Sequence, residues 1–442
     1  MSAMRMRNIL FLIALLPLYC ACGRIQHTNA YPSLAPEDVV MYQVNPRVFA
    51  PNSSFNAVGE YLDSICRLGV NVVWFMPINE VGRESSVNSP YCVKDYKSVN
   101  PEFGTLDEFK GLVDACHKKG LHVIIDWVAN HTSWDNAWIH NKEWYMQDEE
   151  GNIVSPANTG WKDVADLNFD NKEMRLAMID AMKFWVDSVG VDGFRCDAAD
   201  FVPFDFWKQA VDSLRAIPHH PLLLLAEGKR KDHFTAGFDM NYAWDFLEGV
   251  RDVFVKDSCV TTLLDIAHSE YDTIPAGKVK LRFITNHDEM VKMSPVREFG
   301  SERGAMAAFV LSSYLQGGAL IYSSQEVAFP GRVDFFHYCH IDWNANNAIR
   351  TEYEILMKLY NDYPAIRKGE LKIYPDCDVA VFQKGTDRNR FLVLVNVRNA
   401  VRNFFLPEEW KGHECMDVYK DTLVALEDTL RLAPYEYRIL KY

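Results

Sequence analysis

The chain has 442 residues, of which 48% are hydrophobic and 24% charged, and its net charge is −14. That length and apolar share can bury one large core and a smaller second one. An acidic balance without a long Lys/Arg block excludes a nucleic-acid partner held by phosphate contacts.

In chain order, the first element is a targeting segment. Arg5 and Arg7 precede Ile9–Tyr19, an apolar run too short to span a bilayer and suited to a signal-peptide core. Ala21–Cys22–Gly23 resembles the end of a bacterial lipobox cleaved before Cys22, although Tyr19 and Cys20 depart from it. Residues 1–22 therefore read as a signal peptide of lipoprotein type, with plain secretion as the alternative, and 23–36 as a polar tether. The expected location is outside the cytoplasm, in a bacterial periplasm or outer membrane. Membrane contact is expected only through a lipid on Cys22.

From residue 37 the chain alternates between two periods. Runs of apolar and β-branched residues predict strands at Val39–Val44, Val70–Met76, Leu121–Asp126, Val191–Asp197, Pro221–Glu227, Phe238–Tyr242, Val279–Asp288 and Gly318–Tyr322. Amphipathic stretches between them predict helices at Phe55–Leu68, Leu106–Lys119, Lys172–Val189, Phe206–Ile217 and Ser301–Gln316. Thr105 and Glu108 form a capping-box pattern before the second of these, and Gly120 ends it. Eight strand–helix units predict an α/β fold, a closed (β/α)₈ TIM barrel over 37–368; an open doubly wound sheet is the alternative. Residues 127–170 are too long for an ordinary loop and predict a small subdomain inserted after strand three. Beyond residue 369, alternating runs such as Val379–Gln383, Phe391–Val397 and Tyr435–Leu440 predict an antiparallel β domain over 369–442.

Eight of the ten cysteines follow the signal segment: Cys66, Cys92, Cys116, Cys196, Cys259, Cys339, Cys377 and Cys415. No C-x-x-C pair occurs, which argues against zinc, and few or no disulfides are expected.

Four segments carry the chemistry: Asp126–His131 (DWVANH), Gly193–Asp197 (GFRCD), Glu227 after LLLLA, and Phe283–Asp288 (FITNHD). Each ends an apolar run in acidic or imidazole side chains, as a barrel requires when it gathers acids from separate strands. Asp197 has Arg195 two residues earlier on the same strand face, where a guanidinium would keep it ionised. Alone, that pair would read as structural. Glu227 follows apolar residues that would raise its pKa, and lies one βα unit beyond Asp197.

In order and spacing, the four segments resemble the conserved regions of the α-amylase family of glycoside hydrolases, over about residues 37–440. The resemblance implies a retaining α-glycosidase acting on an α-glucan or oligosaccharide. Asp197 would be the nucleophile, Glu227 the acid/base and Asp288 the group fixing sugar hydroxyls. His131 and His287 would donate to hydroxyls, and Tyr91 would stack under the same sugar. The 13% aromatic content suits a sugar site. In family members that carry calcium, ligands sit at the positions of Asn130 and Asp166–Asn168. Against calcium, Asp200–Phe201 replaces the family's Lys-His pair, and Pro51–Phe55 lacks its acidic loop. No cofactor is expected as certain, and no metal-ligand set is assigned. Gly228 stands where the family often has Trp or another apolar residue, so the leaving-group side is expected to differ. A transglycosylase of the same fold shares these groups, and a non-catalytic sugar-binding scaffold would be expected to have lost a carboxylate.

Overall fold

The computed structural model describes residues 33–218, 220–385 and 389–442. The targeting segment and all but the end of the tether lie outside the described residues.

Eight parallel strands close into a barrel in which each pairs with its neighbours in sequence. They are β1 (Val40–Val44), β2 (Val72–Phe75), β3 (His122–Trp127), β4 (Gly193–Cys196), β5 (Leu223–Ala226), β6 (Met240–Tyr242), β7 (Val279–Arg282) and β8 (Gly318–Tyr322). Alternation along each strand divides the apolar residues into two cores. Met41, Val72, Trp74, Ile124, Leu225 and Leu281 fill the barrel interior. Val40, Tyr42, Val73, Ile125, Phe194 and Ile321 face outward against the helices. Closure decides between the two predicted sheets, because an open sheet would leave β1 and β8 unpaired, whereas here Met41 lies opposite Leu320.

All eight predicted strands exist, though several are shorter than their apolar runs. The largest difference is at strand seven: pairing stops at Arg282, and His287–Lys292 is a helix capped by the Asn286 side chain. Asp288 therefore sits in a helical first turn and not on a strand. The capping box at Thr105 and Glu108 is formed. Helices at Trp244–Val255, Val260–Tyr271 and Asn347–Asp362 were not among those predicted.

The inserted segment forms a small hairpin, His131–Ser133 against Val164–Asp166, with two short 3₁₀ turns between. At the C-terminus, six antiparallel strands spanning Leu371 to Lys441 form one sheet. One face of that sheet encloses its own core around Trp410, Val381 and Leu394. The other face, including Phe382 and Val393, joins the main core beside Glu302–Leu315. That helix is buried along nearly its whole length because the barrel and the sheet cover opposite sides of it. The Cys259–Cys377 disulfide also ties the barrel to the sheet.

Candidate active site

The C-terminal strand ends open into a cavity of about 440 Å³ lined by Tyr91, His131, Asp197, Glu227, His287 and Asp288, among others. Register accounts for much of this convergence. Asp126 on β3 lies directly opposite Arg195 on β4, and Glu227 follows β5, the next strand round the barrel. Gly193 permits this packing: a Cβ there would lie 1.8 Å from the Leu223 carbonyl oxygen.

Arg195 is fully buried at the centre of three carboxylates. Its Nη1 lies 2.7 Å from both Asp126 Oδ1 and Asp197 Oδ1, and its Nη2 lies 2.8 Å from Glu227 Oε2. The last approach is off the hydrogen-bonding direction, leaving Nη2 without a directed acceptor. Tyr242 accepts from Nε at 3.1 Å, and the Trp74 ring lies 5.2 Å from the guanidinium.

One buried cation cannot balance three buried carboxylates. Desolvation pushes Asp197 up to about 7, with Arg195 opposing and the neighbouring Asp126 and Asp288 charges reinforcing. Asp126 rises to about 7 and Glu227 to about 8, again chiefly through burial. Arg195 acts on Asp197 in the direction expected from the sequence, favouring the ionised form, and burial acts against it. Burial raises all three, so this coupled group keeps at least one carboxyl protonated near neutral pH. A cleft holding a carboxylate that ionises first beside a carboxyl that stays protonated can perform paired nucleophilic and acid chemistry.

The backbone after Asp197 is held in an uncommon conformation. Ala198 has φ +43°, and its N–H donates to Glu227 Oε2 at 2.7 Å. Ala199 N–H donates to the Glu227 carbonyl at 3.0 Å. Asp200 accepts from the backbone N–H of Lys229 at 3.0 Å and of Arg230 at 3.2 Å. The loops after β4 and β5 are thereby tied together. A Cβ on Gly228 would lie 2.3 Å from Asp200 Oδ1, so the two departures from the expected pattern, Asp200 and Gly228, compensate each other.

The imidazoles are neutral near pH 7, since burial lowers both His131 and His287 to about 4. Gln43 Nε2 donates to His287 Nδ1 at 2.8 Å, which places the proton on Nε2. Nε2 then donates to Tyr91 Oη at 2.6 Å, and Tyr91 donates to Asp126 Oδ2 at 3.1 Å. The Tyr91 and His287 rings stack with centroids 5.4 Å apart. Both His287 nitrogens are thus engaged by protein groups, while Asp288, with its side chain 38% exposed, reaches into the cavity.

All seven residues assigned from the sequence, Asp197, Glu227 and Asp288 together with Tyr91, His131, Arg195 and His287, lie at this cavity or directly behind it. Sequence reading missed Gln43, Tyr242 and the aromatic pair Trp161 and Phe201, whose rings meet at 5.9 Å at the rim. Gln43 had a visible signal, a polar residue in an otherwise apolar strand.

For calcium, His131 pairs with Asp166 in the inserted hairpin, so Asn130 and Asp166 are neighbours. Asp166 is a single carboxylate, raised to about 6 by burial. Among the described residues, no three Asp, Glu, His or Cys side chains gather into a metal-binding group.

Comparison with known proteins agrees with the geometry. The family model for the alpha amylase catalytic domain matches residues 53–222. An α-amylase from Haloarcula japonica is 26% identical over 85% of this chain and 58% of its own length. An α-amylase from Dictyoglomus thermophilum is 26% identical over 67% of this chain and 65% of its own. The chain therefore spans less than two thirds of the length of these curated relatives. The crystal structure of a noncanonic maltogenic α-amylase from Thermotoga neapolitana superposes with a TM-score of 0.84 at 26% identity, covering 92% of this chain and 99% of that one.

Proposed function

We propose that the chain carries a catalytic domain of the α-amylase family and hydrolyses α-glucosidic bonds in oligo- or polysaccharides by double displacement, a reading supported by the family-model match over residues 53–222 and by the likeness to solved α-amylases. The observation that carries this reading is the sharing of Arg195 by Asp197 and Glu227, both of which line the cavity.

Asp197 attacks the anomeric carbon and forms a β-glycosyl ester, while Glu227 transfers its proton to the departing glycosidic oxygen. Glu227, now ionised, takes a proton from water as that water attacks the ester, which returns an α product and frees Asp197. Arg195 stabilises whichever carboxylate bears charge at each stage without moving. Asp288 accepts from sugar hydroxyls as the ring flattens, and His131 donates to them. Tyr91, held by His287 and Asp126, offers its ring as a floor.

We further infer that the protein is exported and anchored by a lipid on Cys22. The signal-like residues 5–23 support this, as does the Cys259–Cys377 disulfide, a bond suited to an oxidising compartment.

The deciding experiment is incubation with α-1,4-, α-1,6- and α-1,1-linked glucosides, with products followed by proton NMR. A sugar released initially as the α anomer is expected. Initial release of the β anomer would overturn double displacement.

A further inference from the structure

Relative to Asp197, the cavity has two distinct ends. The leaving group must lie toward Glu227, where Gly228, Phe201 and Trp244 line the wall. The sugar that becomes attached to Asp197 lies the other way, over Tyr91 and His287. On that side the next wall is aromatic. Phe335 packs edge-on to Tyr91 at 6.0 Å and to His287 at 5.5 Å, and Phe336 stacks on Phe335 at 4.5 Å.

Two loops distant in sequence meet at this wall. Asn88 Nδ2 donates to the Phe336 carbonyl at 2.5 Å. Beneath them lies Arg47, 1% exposed, in the turn after β1. Its Nη1 donates to the carbonyls of Asn88 at 2.9 Å and Phe335 at 3.0 Å, and its Nη2 to Asn88 Oδ1 at 3.3 Å. Glu102 fixes the other edge of the guanidinium, at 3.0 Å from Nε and 2.9 Å from Nη2. A buried, charge-assisted clamp therefore joins the two loops into one rim.

We propose that this rim closes the glycone end, so that the enzyme works from non-reducing chain ends and releases single glucose units. The inference rests on the assignment of Asp197 and Glu227, because these two define which end is which. An internal cut requires the chain to continue past the attached sugar, through the space held by Asn88, Phe335 and Phe336.

The test compares 4-nitrophenyl α-maltoheptaoside, free or capped by a 4,6-O-ethylidene group at its non-reducing end, with 4-nitrophenyl α-glucoside as a third substrate. The free oligosaccharide should shorten one glucose at a time, and the capped one should react at least about a hundredfold more slowly. Internal cleavage of the capped substrate at a comparable rate would overturn the chain-end proposal and leave the reaction itself standing. Inertness toward all three substrates would overturn the proposal, because no glucose is then released from an α-1,4-linked chain end, while the assignment of Asp197 and Glu227 would be judged separately on the α-1,6- and α-1,1-linked glucosides. Asn88→Gly gives a second readout. Asn88 has φ +64°, which glycine adopts without strain, and the substitution removes both side-chain links. The capped-to-free rate ratio should rise about tenfold; an unchanged ratio would show that the bridge does not exclude longer substrates.

Discussion

Ala198 donates its backbone N–H to Glu227 Oε2 at 2.7 Å, so the residue following Asp197 holds the carboxyl that works opposite it. Ala198 is itself in the left-handed conformation, and the contact fixes the acid relative to the nucleophile before any substrate arrives. It also couples their protonation, because both carboxylates share Arg195.

The first prediction concerns pH. Asp197 must be ionised and Glu227 protonated, and burial raises them to about 7 and about 8. kcat/KM should trace a narrow bell whose limbs belong to the coupled pair, with its maximum between those values. A broad plateau from pH 5 to 7 would contradict this.

The same shifts give a sign for stability. Asp126, Asp197 and Glu227 all bind protons more tightly in the fold than in the unfolded chain, whose values are about 4. Between pH 4 and about 8 the folded state holds more protons, so stability falls as pH rises through that window. Glu227→Gln removes one titrating group, and its melting temperature should fall less between pH 5 and pH 9 than that of the parent. Parallel curves would show that Glu227 is not raised.

Asp197→Asn should abolish turnover, with a loss of roughly 10³-fold or more, because the covalent step has no nucleophile. The fold should be unharmed, since the substitution removes a buried charge that competes for Arg195. An unchanged or higher melting temperature, measured by calorimetry, is the expected companion result.

Glu227→Gln should lose activity on natural oligosaccharides, whose leaving groups need a proton, and far less in the glycosylation step on activated aryl α-glucosides. Azide should restore the second step and give an α-glycosyl azide. An inverted azide product, or equal loss on both substrate types, would remove Glu227 from the acid role.

Cys22→Ser should move the protein from the membrane fraction to the soluble exported pool, as followed by fractionation and immunoblotting. A lipoprotein cysteine carrying several acyl chains anchors stably, so the shift should be nearly complete. An unchanged distribution would exclude lipid attachment at Cys22.

The barrel, and the strand ends at which its acids sit, were legible in the residue pattern. Parallel strands covered on both faces are runs of apolar residues, and Asp126, Asp197 and Glu227 terminate such runs, so a local period and a change of residue type suffice to find them. The helix containing Asp288 was hidden because Phe283–Ile284–Thr285 continues the apolar, β-branched pattern after pairing has stopped; only the neighbouring strands decide where a ladder ends. The upward shift of the Asp126, Asp197 and Glu227 carboxyls was equally inaccessible. The pair Arg195 and Asp197 suggests an ionised aspartate, whereas the fold places two further carboxylates on the same guanidinium and withdraws all three from most of their solvent. The rim had no signal at all, since Arg47, Asn88 and Phe336 are brought together by barrel closure across nearly 300 residues of chain. Periodicity is a property of neighbours in sequence. Charge balance and closure are properties of neighbours in space, and only the tertiary structure determines those.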